Sequence, residues 1–129
     1  MSLHVELVSP ERLAYSGEAK MVVCRVSDGD IAFLPGHVPF IGTLETYPVR
    51  VIHEDGTEEI IAVHQGFVEV AHDRVSILSD VAEMKDAVDV HRAQAAMARA
   101  EEALRIDGDD EDAKAALRRA QVRLDVSNT

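Results

Sequence analysis

Leu3, Val5 and Leu7 alternate with His4 and Glu6, the period-two signature of a strand with one buried face. Ser9-Pro10-Glu11 breaks that run. Val22, Cys24 and Val26 alternate again, with Lys20 and Arg25 facing the other way. Val49 and Val51 begin another strand, and Glu54-Asp55-Gly56-Thr57 has the chemistry of a hairpin turn. On the return, from Glu59 to Val63, Ile60, Ile61 and Val63 are apolar on both faces, which predicts a strand enclosed between two layers. Phe67, Val68 and Val70 follow Gly66, His72-Asp73-Arg74 turns the chain, and Val75, Ile77 and Leu78 complete the set. Eight to ten short strands with frequent turn signals predict a β-sandwich or a flattened barrel.

The texture then changes. From Ala87 onward there is no glycine except Gly108, no proline, and there are eleven alanines by Ala120. Val90, Ala93, Met97, Ala100 and Leu104 fall at 3-4-3-4 spacing, one face of a helix that Asp86 or Asp89 can cap. Asp107-Gly108-Asp109 makes a turn, and Ala113, Ala116, Leu117, Ala120 and Leu124 mark a second helix. An αα-hairpin therefore follows a β-domain, with the junction at about residues 84–87. Each buried carbon contributes about 0.8 kcal/mol, so an alanine seam packs closely yet gains little on docking. Light docking suits a conformational switch, although alanine is also simply a good helix former.

One stretch of the β-part is unlike its neighbours. Asp28 to Ile41 sets two glycines, two prolines and His37 around the apolar run Ile31-Ala32-Phe33-Leu34. Gly29 and Gly36 permit backbone angles that a side chain forbids, while Pro35 and Pro39 fix φ. Two readings stay open, a tight bend between strands and a shaped recognition loop.

With 129 residues the chain can bury a real core, and with no tryptophan that core must be built from Val, Ile, Leu and Ala. Cys24 is alone, which excludes an internal disulfide and a cysteine-rich zinc site; among Val22, Val23 and Val26 it reads as a buried small hydrophobe. Thirteen basic residues against 24 acidic ones leave a net charge of -11, which disfavours nucleic acid and anionic lipid as partners. No leader is evident and no apolar run approaches ~20 residues, so a soluble, cytosolic protein is expected, reaching any membrane machine only through a protein partner. Residues 1–86 hold 15 acids and 6 bases, while residues 87–129 hold 9 acids and 7 bases. Within the second helix Asp109, Asp110, Glu111 and Asp112 lie at the start and Arg118, Arg119 and Arg123 towards the end. The helix dipole accounts for that order, and the basic end would also attract an acidic loop.

The six histidines form no close-spaced ligand cluster, and no phosphate loop, dinucleotide fingerprint or nucleophile elbow occurs. Enzyme signal is absent. Asp89, Arg92 and Arg99 on the first helix, with Arg119 and Arg123 on the second, could grip a phosphate chain across the folded hairpin while Asp89 accepts from a base or ribose. Intrahelical pairing plus a cap is the alternative.

Several pieces, in order, carry a resemblance: Leu7-Val8-Ser9-Pro10-Glu11 with Tyr15-Ser16-Gly17-Glu18-Ala19; Gly29-Asp30-Ile31 with Leu34-Pro35-Gly36-His37-Val38-Pro39; Gly66-Phe67-Val68-Glu69-Val70; and Val75-Ser76-Ile77-Leu78-Ser79-Asp80 with Ala82-Glu83. Over essentially its full length the chain resembles the epsilon subunits of bacterial F-type ATP synthases. Ala32 and Gln65 stand where that family usually has glycine, and Phe33 replaces an aliphatic residue. The resemblance implies a mainly β fold plus α: a ten-stranded β-sandwich over residues 1–85, then an antiparallel αα-hairpin over 86–129. It implies a non-catalytic rotor subunit, peripheral at the cytoplasmic face of the bacterial plasma membrane, with gamma, the c ring and the alpha and beta subunits as partners. By position, Asp30 would face the c ring, and Ser9, His37 and Gly42 would lie near gamma, Gly42 replacing a hydroxyl residue of some relatives. The family's hairpin can extend along gamma and block ATP hydrolysis, with Arg118, Arg119 and Arg123 then meeting an acidic loop of beta. Some relatives hold the hairpin down with ATP through an Ile/Leu-Asp-x-x-Arg-Ala motif, which Val88-Asp89-x-x-Arg92-Ala93 nearly matches. No cofactor is required on this reading; ATP would be regulatory.

Overall fold

A computed structural model describes residues 1–10, 12–27 and 29–129; Glu11 and Asp28, each an end of a stretch singled out above, lie outside the described residues. Ten strands come first: β1 Leu3–Ser9, β2 Arg12–Ala19, β3 Met21–Val26, β4 Gly29–Phe33, β5 Phe40–Leu44, β6 Tyr47–Ile52, β7 Glu58–Val63, β8 Gly66–Ala71, β9 Arg74–Leu78 and β10 Ala82–Met84. A short 3-10 turn, Lys85–Ala87, leads into α1 Val90–Ile106 and α2 Glu111–Ser127.

The strands run β10-β7-β6-β3-β5-β8-β9-β1-β2 across one folded-over sheet, with β4 paired to β3. Among the described residues β3 and β5 share one register pair, Val26 with Leu44, and there the sheet divides into two layers. The alternation seen in the sequence is the reason the layers close: Leu3, Val5, Leu7, Val22, Cys24, Val49 and Val51 all point into one core that excludes water. Phe33 is the largest side chain fully enclosed there. Burial pushes the Cys24 thiol up to about 12, so it stays protonated, as a small hydrophobe should.

Strand β7 is apolar on both faces because it has two jobs. Ile61 and Val63 enter the sandwich core, while Ala62 and Ile60 lie under α2 with Val122 and Val126. Among the described residues the hairpin therefore meets the strands chiefly through α2, which packs on β6 and β7. Between the helices the seam is alanine: Ala93 and Ala100 of α1, Ala113 and Ala120 of α2 are all buried. Val122 and Val126 lie outside the expected seam. An interhelical spacing pattern finds one buried face, and α2 has two.

Of the two expected caps for α1, Asp89 takes the position, its side chain accepting from Arg92 N at 3.0 Å. Asp110 caps α2 in the same way, accepting from Ala113 N at 3.0 Å.

Candidate functional site

Two surfaces hold the residues of interest. The first is a cleft of about 170 Å³ where α1, α2 and β10 meet, lined by Asp89, Arg92, Arg99, Arg123 and Glu83 among others. Four of the five residues expected to grip a phosphate chain are thus brought together, and the N-cap at Asp89 fixes where the first helix enters. Arg119 does not line the cleft and is exposed. Three guanidinium groups face two carboxylates there, a locally cationic spot on an acidic protein. Its volume is below the roughly 300–1,000 Å³ of pockets that enclose a drug-sized ligand, so it suits a phosphate group more than a whole buried nucleotide.

Glu83 is the residue that sequence reasoning missed. Its Oε1 accepts from Arg123 Nε at 2.6 Å and lies 3.2 Å from His64 Nε2. Nothing in the spacing of Glu83, seven residues before α1 in a short edge strand, announces a partner 40 residues on. In this arrangement Arg123 is half-buried and already engaged by Glu83. Arg118 is exposed and lines a separate groove with Arg25 and Tyr47. Arg118 and Arg119 sit mid-helix and the last turn of α2 carries no basic residue, so the expected basic helix end is not formed; the three arginines have three different surroundings.

The second surface is the outer face of the β5-β8-β9-β1-β2 layer. Register places Thr43 opposite Phe67, Phe67 opposite Leu78, Leu78 opposite Val8, and Val8 opposite Leu13. One row across five strands therefore carries Phe67 (62% exposed), Leu78 and Leu13 out into solvent. Beside it, Val8, Ser9, Thr43, Phe67 and Leu78 line a mainly apolar hollow of about 680 Å³. Ile41, 75% exposed, lies on the same pleat of β5 as Thr43. An exposed apolar area of this kind is a candidate docking surface.

Ser9 belongs to this hollow. Gly42 lies on the opposite pleat, where an added Cβ would fall 2.7 Å from the Phe40 ring. His37 is held in an aromatic group, its ring 5.0 Å from that of Phe33 and 6.4 Å from that of Phe40. The Pro35-Gly36 corner is tied down from outside: Gly36 N donates to Asp73 Oδ1 at 2.7 Å, and Gly36 has φ +85°. It leaves Leu34 and Val38 exposed. Asp30 is exposed on β4 and accepts from Arg25 Nε at 2.9 Å, while Arg25 lies 3.8 Å over the Tyr47 ring. That hydrogen bond holds the Asp30 carboxyl below the usual carboxylate range.

Among the described residues no group of three His, Cys, Asp or Glu side chains is placed to hold a metal ion. Among the same residues no helix is long and apolar enough to cross a membrane.

The family model for the ATP synthase Delta/Epsilon chain beta-sandwich domain matches residues 2–85, and the model for the long alpha-helix domain of the same chain matches residues 86–128. The ATP synthase epsilon chain of Streptomyces griseus is 48% identical over 122 residues, 95% of this chain and 92% of that one. The ATP synthase epsilon chain of Bacillus velezensis is 41% identical over 129 residues, 98% of this chain and 97% of that one. A chain in the cryo-EM structure of Euglena gracilis mitochondrial ATP synthase shares the fold with a TM-score of 0.71 at 18% identity, covering 98% of this chain and 78% of that chain.

Proposed function

The chain belongs to the ATP synthase Delta/Epsilon chain family, and on that footing we propose that it couples rotation of a c ring to the catalytic head through a gamma-type shaft, with its hairpin as a brake on ATP hydrolysis. It is a non-catalytic ATP synthase subunit, as the names of its relatives indicate. The observation that carries the proposal is the division of labour between the two surfaces. A rigid sandwich offers a row of exposed apolar side chains, Leu13, Leu78 and Phe67, that makes sense only when covered. The helices are attached on the other layer, through β6 and β7, so they are free to leave without disturbing that row.

On this reading gamma covers the row around Ser9 and Phe67, and the Leu34 to Ile41 corner, with His37 packed behind it, forms the neighbouring contact. Asp30, already polarised by Arg25, meets polar loops of the c ring. The place of action is the cytoplasmic face of the bacterial plasma membrane, reached through these partners and without insertion of this chain. When the hairpin lifts, Arg123 parts from Glu83 and joins Arg118 and Arg119 in a basic stretch of α2 facing an acidic loop of beta.

ATP fits the same scheme as the regulatory ligand of the small cleft. Arg92 and Arg99 from α1 and Arg123 from α2 would share its phosphates, which fastens one helix to the other. A phosphate-sized cleft holding three arginines supports this reading, and Val88 in the first motif position is its weakest match.

The test is reconstitution. A complex of the rotor shaft and catalytic head is assembled with the full chain or with residues 1–86 alone. Equal assembly with faster ATP hydrolysis for the shorter chain is the expected result; loss of binding to the shaft by the shorter chain, or equal hydrolysis, contradicts it.

A further inference from the structure

One buried imidazole between sandwich and hairpin has no part in the reading above. His64 follows β7, is 8% exposed, and lies 3.2 Å through Nε2 from Glu83 Oε1. A carboxylate can only accept, so in the neutral ring Nε2 carries the proton and donates it. Nδ1 is then a bare acceptor, buried and with no hydrogen-bond partner among the described residues. Glu83 Oε1 also accepts from Arg123 Nε at 2.6 Å, so one oxygen links the strand body, through His64, to α2.

The charged groups around this ring come from both layers. Glu83 faces it from β10, and Arg123 and Arg119 act on it from α2. Behind it, Ser79 Oγ lies against its backbone carbonyl, and Glu45 and Asp80 share the hollow that His64 also lines. Burial, followed by Arg123, pulls the His64 pKa below its ordinary value, and Glu83 only partly opposes them.

We propose that His64 is a proton-sensitive latch for the hairpin: neutral, it steadies Glu83 beneath Arg123 and the helices stay down; with a proton on Nδ1 it favours the state in which α2 has left. The reason is local. A proton on Nδ1 creates a buried donor with no acceptor and sets a second cation beside Arg123. Departure of α2 takes the guanidinium away and lets water reach the ring, which relieves both.

The sign follows from linkage. The docked ring is harder to protonate than the released one, so the released state binds more protons at acid pH. Docking is at full strength above the released-state pKa, near the ordinary value of about 6.5, and weakens as pH falls below it.

Amide hydrogen exchange on the full chain, with neither nucleotide nor partner present, tests the latch independently of the stalk assignment. After correction for intrinsic rates, opening at Val122 to Val126 rises roughly threefold or more between about pH 7.5 and about pH 5.5, while β1 and β3 do not change. His64→Gln abolishes the rise. A wild type without the rise, or a His64→Gln variant that keeps it, overturns the proposal. Should His64→Gln not fold, NMR titration of the His64 ring decides: Arg123→Gln raises its pKa if the latch is real, and an unchanged pKa overturns it.

Discussion

Val126, in the last turn of α2, closes over Ala62 in the middle of β7, and both residues are fully excluded from solvent. With Val122 and Ile60 they make up the small apolar cluster that fastens the hairpin to the sandwich. Two valines at about 1.5–3 kcal/mol each, less the entropy of ordering, is a modest hold for two 17-residue helices.

Val126→Ala removes two of the carbons in that hold and leaves a space between layers. The expected loss is about 2 kcal/mol, confined to docking of the hairpin. Hydrogen exchange of α2 should speed up accordingly while the strands of the sandwich core keep their protection.

Much of this arrangement was legible beforehand, and β7 shows why. Ile60, Ile61 and Val63 gave away a strand between two layers, because burial on both faces leaves a chemical mark on each residue. Similarly, the N-cap at Asp89 and the alanine seam follow from helical spacing that any reader of the chain can apply. The second buried face of α2 was not legible, since Val122 and Val126 are too few to stand out from the seam. Nor was the junction of His64, Glu83 and Arg123, which is made by chain crossings between residues 19 and 40 positions apart. Arg119 illustrates the converse: its helical face is shared with Arg123, but only Arg123 reaches the cleft.

The turn between β7 and β8 offers a sharp stability test. Gln65 has φ +60°, a conformation in which a side chain costs about 1 kcal/mol. Next to it, Gly66 has φ +153°, and a Cβ would fall 2.0 Å from the carbonyl oxygen of Leu78. Gln65→Gly should leave stability unchanged or raise it by up to about 1 kcal/mol. Gly66→Ala should cost more than about 2 kcal/mol, because backbone rather than a flexible side chain must give way. Urea unfolding of the two variants provides the measurement.

Phe67 separates docking from folding. Its ring is largely exposed, so Phe67→Ser should change stability by no more than about 0.5 kcal/mol. If the row covers a shaft, the same change should weaken binding to a gamma-type subunit by roughly 30-fold or more, the effect of losing a central aromatic anchor. Titration of the two proteins against each other measures it, and unaltered affinity would move the docking surface elsewhere.

Nucleotide binding at the cleft is a matter for calorimetry. ATP should bind the full chain, and Arg92→Ala should weaken it by roughly tenfold or more through loss of a charge-assisted contact. No heat at about millimolar ATP would remove the regulatory ligand and leave the stalk role intact.

If resting the helices on β7 restrains them from acting on the catalytic head, loosening that rest must strengthen the brake. Ala62→Asp addresses it from the sandwich side, placing a carboxylate without a partner under Val122 and Val126 while leaving every helix residue unchanged. Once α2 lifts, that position faces water, so the sandwich itself is not penalised. The decisive measurement is the ATP hydrolysis rate of the assembled complex with the wild-type chain and with Ala62→Asp. Slower hydrolysis is expected with the variant, because the freed hairpin engages more often; an equal or faster rate would rule out restraint by β7.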